Sequence, residues 1–263
     1  MKSWMKSQEE SNAQTLLIDA DLYLFRASIV AEEETDWGND IWSLSTDLKV
    51  AKELFTKQIE GFKERTGVDG VLMCLSDSEN FRKTVDTSYK SGRKKTRKPV
   101  GYKAMVQWCE ETWPSCRQAT LEADDVMGIL GSTPDLKTVI VSDDKDMKTI
   151  PCRLYRPTDD DLMDVSQEAA DLNFYTQTLT GDSTDGYSGC PKVGAVTAAK
   201  ILGNRPDWSL VENQFIKSGL TREEAITQPD VTRDEREFLI SGIYPGEWDE
   251  FSTVNGGVYD PDG

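Results

Sequence analysis

Short apolar runs and amphipathic stretches alternate along most of this chain. Thr15 to Ala20 is a short apolar run closing on Asp19 and followed by Asp21, which predicts a first buried strand. Ala31 to Asn39 reads as a polar loop. From Thr46 to Arg65, Leu48, Ala51, Leu54, Phe55, Ile59 and Phe62 recur every three or four positions, the pattern of an amphipathic helix, and Gly67 supplies its stop. Val71 to Ser76 is a second apolar strand, ending on Asp77. Tyr102 to Trp113 reads as a helix closed by Pro114, and Leu121 to Leu130 as another. The second of these carries Glu122, Asp124 and Asp125 in its first turn, where negative charge suits the helix dipole. Lys137 to Val141 is a third strand, with Ser142, Asp143, Asp144 and Asp146 at its end. This alternation implies an α/β fold with a mostly parallel central sheet and helices on both faces. Near Ser166 the pattern turns helical, and beyond Thr221 it thins into acidic sequence with a helix expected around Arg233 to Ile240.

At 263 residues and 37% hydrophobic composition the chain can build one α/β domain and a smaller helical region. The net charge of −17 argues against a nucleic-acid partner until it is mapped. Between Arg82 and Lys103 lie Lys83, Lys90, Arg93, Lys94, Lys95, Arg97 and Lys98 as well, against the single acid Asp86. Five cysteines without a C-x-x-C pair suggest neither a disulfide framework nor a zinc knuckle and fit a reducing cytosol. There is no histidine, so His–metal sites and Ser–His or Cys–His nucleophiles are excluded. With no long apolar run and no signal-peptide core, the expectation is a soluble cytoplasmic protein.

Three predicted strands end on aspartate, and parallel sheets place ligand sites beyond the carboxyl ends of their strands. Asp19, Asp77, Asp144 and Asp146 should therefore converge, joined by Glu122, Asp124 and Asp125 from a helix start and by Asp182 and Asp185 of TGDSTDGYSG. Taken singly, each acid is equally a cap or a solvated charge. Asp143 is left to the surface, and Asp21 is either a turn former or part of the ligand shell. Two like charges about 4 Å apart repel by roughly 4 kcal/mol at an effective dielectric near 20. A cluster of this kind calls for cations, and oxygen-only ligands favour Mg²⁺ with Mn²⁺ as a substitute. Without histidine, the simplest chemistry is phosphodiester hydrolysis assisted by two ions, one activating water and one stabilising the leaving oxygen.

The basic run FRKTVDTSYKSGRKKTRKP adds Tyr89 to its cations, so a ring could stack on an unpaired base while Lys and Arg hold phosphates. A solvated basic loop is the plainer alternative. In GYSGCPKVGAVTAAKIL, Gly189, Pro191 and Gly194 make a tight turn before a helix over Ala195 to Leu202, flanked by Lys192 and Lys200. Such a turn either grips a phosphate through backbone N–H groups or forms an ordinary corner between helices.

Five segments in order, LLIDADLYLFRA, LSDSENFR with YKSGR, LEADD, VIVSDDKDM and TGDSTDGYSGCPKVGAVTAAKIL, resemble the flap endonuclease and 5′→3′ exonuclease family, of PIN-like nuclease fold. The resemblance implies an α/β nuclease domain over 1–165 with a basic arch at 79–103. It further implies a helical DNA-binding region over 166–263 with a helix–hairpin–helix-type motif at 181–203. By the same resemblance the metal ligands are Asp19, Asp77, Glu122, Asp124, Asp125, Asp144, Asp146, Asp182 and Asp185. Lys90, Arg93 and Arg82 become catalytic cations, while Tyr89, Lys83, Lys94, Lys95, Gly189, Lys192, Gly194 and Lys200 contact DNA. The substrates implied are 5′ ends of duplex or flap DNA, with RNA–DNA hybrids and primers as further candidates. The compact length looks like a short phage exonuclease acting in the host cytoplasm. Departures fall in the hairpin: Gly186 stands where Asn is usual, Lys192 replaces a Gly and Val196 a Lys, which bears on duplex binding. Two other readings compete. In a haloacid-dehalogenase-type phosphotransferase Asp19 would be the nucleophile and Asp21 the acid, and in a silent DNA-binding protein of the same fold the acids would be unused.

Overall fold

The computed structural model describes residues 14–85, 97–182, 187–203 and 206–219. The chain divides into two compact units, Met1–Ser78 with Arg93–Ala170, and Glu79–Gly92 with Asp171–Gly263.

The first unit is built on a six-stranded sheet. Its strands in chain order are β1 (Thr15–Asp19), β4 (Gly70–Leu75), β5 (Ser115–Arg117), β6 (Thr138–Val141), β7 (Cys152–Arg156) and β8 (Asp161–Val165), arranged in space as β5-β4-β1-β6-β7-β8. Every neighbouring pair is parallel except β7 with β8. β1 lies at the centre, with Asp19 opposite Cys74 on one side and Ile18 opposite Val141 on the other. All five β1 residues are buried, which explains why it reads as an unbroken apolar run instead of an alternating one.

Three helices cover one face: α1 (Ala20–Val30), α2 (Leu48–Thr66) and, after the short α3 (Arg82–Val85) of the second unit, α4 (Tyr102–Thr112). Leu16, Ile18, Met73, Leu75, Val139 and Val141 of the sheet meet Tyr23, Leu24, Phe55, Ile59, Phe62, Met105 and Cys109 there. The helix α5 (Ala123–Gly131) packs on β1, β4 and β6 with seven of its nine residues buried. A Cβ on Gly131 would come within 2.6 Å of Ile140 Cδ1, so this helix end sits against the sheet at glycine distance. The caps follow the sequence signals. Asp47 accepts from Lys49 and Val50 N–H at the start of α2, and Gly67 ends it in the left-handed region at φ 70°.

The polar loop expected over Ala31 to Asn39 is a correction. Residues Glu32–Asp36 (β2) pair antiparallel with Trp42–Thr46 (β3) in a separate two-stranded hairpin. Its acids and its lack of apolar alternation hid it, because the stretch is exposed and has no core face to pattern. The edge strands β5 and β8 and the interior strand β7 were likewise not expected. The helix anticipated at Arg233 to Ile240 lies outside the described residues.

In the second unit α6 (Gln167–Thr180), α7 (Ala195–Leu202) and α8 (Trp208–Lys217) enclose a small core of Leu179, Cys190, Val193, Ala198, Leu202, Val211 and Phe215. Phe174, Tyr175 and Trp208 form a ring cluster with centroids 5.8–6.3 Å apart. All five cysteines are free thiols. No helix among the described residues is long and apolar enough to cross a membrane.

Candidate active site

The sheet topology brings the carboxyl ends of β1, β4 and β6 side by side, with the start of α5 beside them. Asp19, the last residue of β1, caps α1 by accepting from Leu22 N–H at 3.2 Å, and it is buried. Ser142, fully buried at the end of β6, donates its hydroxyl to Asp19 Oδ2 at 3.5 Å and accepts Asp144 N–H at 3.1 Å. Asp144 in turn caps a 3₁₀ turn over Lys145–Thr149, taking Asp146 N–H at 2.9 Å. From β4, Asp77 accepts from Ser78 N–H at 2.8 Å and from Thr120 N–H at 2.8 Å, which ties the end of this strand to the approach to α5. Asp125, 2% exposed, accepts Glu122 N–H at 2.9 Å across the first turn of α5. Capping and clustering are therefore the same fact for Asp19, Asp144 and Asp125. The N–H groups of the helix starts fix their rotamers at the sheet edge.

Burial pushes the Asp19 carboxyl up to about 7, with Asp21 and Asp144 raising it further and the Leu22 and Ser142 hydrogen bonds working in the opposite direction. Asp124 is driven well above the ordinary carboxylate range by burial and then by Asp19, Asp144, Asp125 and Glu122. All four of those carboxylates act on it in the same direction. Uncompensated anions in a desolvated edge are what a hard divalent cation relieves, and every donor in the cluster is oxygen. The donor chemistry thus fits Mg²⁺ or Mn²⁺. Among the described residues no group of three or more Asp, Glu or Cys side chains is placed closely enough to hold a metal ion as it stands.

Asp146, half-buried, follows Asp144 on the same turn. Asp182, 6% exposed, belongs to the second unit, where Gln177 Nε2 donates to it at 3.4 Å and its backbone bridges Tyr187. Arg82, also of the second unit, is 4% exposed and stacks over the Phe81 ring at 4.8 Å, while Lys83 is exposed. Tyr89, Lys90, Arg93, Lys94, Lys95 and Asp185 lie outside the described residues, as does Gly186. Lys192 and Gly194 are exposed at the start of α7, and Lys200 is exposed in its last turn. Gly189 is buried, with φ +66°, and a Cβ there would fall 2.3 Å from Gly181 N. Its demonstrable part is to let two backbone segments cross.

Asp143 is more than surface. Arg26 pairs with it at 3.2 Å and Thr158 N–H donates to it at 2.8 Å, which locks the loop after β6 to α1. Sequence reasoning missed Ser76, Ser142 and Tyr102. Two of them follow a buried strand and precede an aspartate, in Ser76-Asp77 and Ser142-Asp143, and that repeated pair was the available signal.

A mostly parallel sheet with carboxylates gathered beyond the carboxyl ends of its central strands gives this chain the PIN-like fold. Residues 14–171 match the family model described as the 5′-3′ exonuclease N-terminal resolvase-like domain. The chain is 31% identical to the exodeoxyribonuclease of Enterobacteria phage T3, over 87% of this chain and 91% of that protein. It is 34% identical to the exonuclease of Escherichia phage T7, over 81% of this chain and 74% of that protein. In fold it is similar to the bacteriophage T5 flap endonuclease solved in a pseudo-enzyme-product complex with DNA and metal ions. The TM-score is 0.65 at 13% identity, covering 92% of this chain and 97% of that one. The chain belongs to the 5′→3′ exonuclease family and is a 5′→3′ exonuclease of the phage type. The phosphotransferase reading falls with it. Asp21, which that reading needs as a free acid, instead accepts from Ser76 N–H at 2.7 Å and from Tyr102 O–H at 2.9 Å.

Proposed function

We propose that the chain removes nucleotides from the 5′ ends of duplex and flap DNA, RNA primers included, with divalent cations held at the acidic edge of the sheet. The observation that carries this reading is geometric: the parallel order β4-β1-β6 sets Asp19, Asp77 and Asp144 at one sheet edge, where Ser142 bonds both Asp19 and Asp144 and the start of α5 brings Asp124. Asp19, Asp124 and Asp144 would hold the cations most directly. Asp77, Glu122, Asp125 and Asp146 are proposed as further ligands on the same edge, and Asp182 and Asp185 are proposed ligands on the family resemblance alone. Two Mg²⁺ ions, when bound, would supply the charge that activates water and stabilises the leaving oxygen. The chain's own residues do the rest. The capped helix starts fix the carboxylate rotamers, and Ser142 holds Asp19 and Asp144 in register.

Arg82, Lys90 and Arg93 are the cations proposed to neutralise the scissile phosphate. Tyr89, Lys83, Lys94 and Lys95 would engage the strand end, and the turn carrying Gly189, Lys192 and Gly194, with Lys200, would grip the duplex backbone. The T5 flap endonuclease, of the same fold, was solved with DNA and metal ions, which supports this assignment. The action would take place in the host cytoplasm.

Digestion of 5′-labelled duplex, flap and RNA-primed substrates in Mg²⁺, in Mn²⁺ and in EDTA tests the reading. Release of short 5′ products from DNA ends in either metal, and none in EDTA, is expected. Cleavage that persists in EDTA would overturn the cation assignment, and cleavage only at internal sites would overturn the end preference.

A further inference from the structure

Asp21 stands two residues after Asp19, on the first turn of α1, yet both its oxygens are engaged within the protein. Oδ2 accepts the Ser76 backbone N–H at 2.7 Å and Oδ1 accepts the Tyr102 hydroxyl at 2.9 Å. Ser76 then passes the connection on. Its Oγ accepts Ala123 N–H at 3.0 Å, at the start of α5, and its carbonyl accepts from Arg117 of β5. Tyr102, 8% exposed, is the first residue of α4, and Gly101 before it is held to β3 by Thr46 Oγ1, which accepts Gly101 N–H at 2.9 Å. One carboxylate therefore joins three of the elements that carry the acids to α4, the helix that follows the basic segment. These elements are the β1–α1 junction with Asp19, the end of β4 with Asp77, and the start of α5 with Glu122 and Asp124. A carboxylate that accepts two hydrogen bonds from protein donors in this way has its orientation set by them.

From this network we infer that Asp21 is a positioning residue for the exonuclease reaction and not a cation ligand: together with Tyr102 it sets the spacing between the acid-bearing elements. The inference rests on the proposal that these acids hold divalent cations. Tyr102 makes the distinction measurable. Its hydroxyl donates to Asp21, so Tyr102→Phe removes one hydrogen bond and keeps the ring.

The test is calorimetric titration of Mn²⁺ into wild type, Asp21→Asn, Tyr102→Phe, the double variant and an Asp124→Ala control. Melting temperature and the kcat and KM for a 5′-labelled duplex are measured on the same preparations. Loss of a charged hydrogen bond typically amounts to about a tenfold effect. Tyr102→Phe and Asp21→Asn are each expected to weaken Mn²⁺ binding and lower kcat by about that factor, with KM for DNA little changed. The double variant should be no worse than the poorer single one, because both changes break the same link.

Complete loss of Mn²⁺ binding in Asp21→Asn beside an unaffected Tyr102→Phe would make Asp21 a ligand and overturn the inference. Wild-type metal affinity and kcat in both variants, or a lowered melting temperature alone, would also overturn it. Wild type that binds no Mn²⁺ would overturn the cation reading itself. An Asp124→Ala control that loses binding while Tyr102→Phe keeps it would leave that reading standing and remove only this one.

Discussion

Lys192 sits at φ +64° and Gly189 at φ +66°, two left-handed residues three positions apart in the turn that leads into α7. The glycine is required twice over, by its φ and by its approach to Gly181. The lysine is strained, in a region where an L side chain costs on the order of 1 kcal/mol. Gly189→Ala should therefore destabilise the protein by more than about 1 kcal/mol, whereas Lys192→Gly should hold or raise stability. Urea denaturation of the two variants measures both, and a Gly189→Ala curve that superimposes on wild type would contradict the backbone crossing.

Asp19 gives a prediction of the opposite kind, in which removing a functional group stabilises. Its folded value of about 7 lies above the ordinary range near 3.9. Between those values the folded state holds a proton that the unfolded state has released, so stability falls as pH rises from about 4 to about 7 and stays reduced above. In EDTA, Asp19→Asn should match wild type near pH 4 and melt higher than wild type at pH 8. Excess Mg²⁺ should reverse that order by stabilising only the chain with the intact carboxylate. Equal pH profiles for the two in EDTA would remove the strain assigned to Asp19.

At the scale of elements, the long buried ones were legible, whereas the exposed hairpin and the short strand β7, interior and with Leu154 and Tyr155 buried, were not. The apolar run ending at Asp19, the α2 periodicity from Leu48 to Phe62 and the α7 stretch Ala195 to Leu202 each report a core face. Sequence and structure agree there to within a residue or two. The β2–β3 hairpin reports nothing, since Trp37, Ile41 and Trp42 project outward on it. The acids of the candidate site were legible because strand ends and helix starts are both readable and the parallel topology places them together. What could not be read was which acids spend their oxygens on distant backbone N–H groups, as with Asp21 on Ser76 and Asp77 on Thr120, because those pairings arise only from three-dimensional register.

The hairpin also has an architectural consequence. Glu32, at its base, takes both guanidinium nitrogens of Arg97 at 2.9 and 2.7 Å and Val100 N–H at 2.7 Å, holding the chain where it leaves the basic segment. The Arg97 guanidinium, first, and the Val100 N–H depress the Glu32 carboxyl to about 2. Its contribution is therefore present above the ordinary glutamate range near 4.3 and lost as pH falls towards 2. Glu32→Gln should leave the sheet intact and loosen residues 97–101. Faster amide exchange confined to that stretch is the expected result, and unchanged exchange would contradict the clamp.

Over the whole molecule, an acidic chain with a net charge of −17 handles a polyanion by segregating charge. The acids gather at the sheet edge proposed to hold cations, Lys192 stands exposed in the turn proposed to hold the duplex, and Lys200 stands exposed in the last turn of α7. If they contact phosphates, Lys192→Ala and Lys200→Ala should each weaken binding to all sequences alike and reduce the salt slope of log K by about 1. Fluorescence anisotropy across a salt series in Ca²⁺ would read this, and an unchanged slope would remove the turn from the interface.

The central claim is that the acids at the sheet edge hold the cation on which 5′ cleavage depends. The most direct measurement is the Mn²⁺ dependence of product release from a 5′-labelled duplex by wild type and by Asp124→Ala, with melting curves confirming that both are folded. Wild type is expected to show saturable Mn²⁺ activation, and the folded variant a cleavage rate reduced by at least about a hundredfold, in line with the loss of a principal electrostatic contribution to catalysis. A folded Asp124→Ala that cleaves at the wild-type rate with the same Mn²⁺ dependence would contradict the claim.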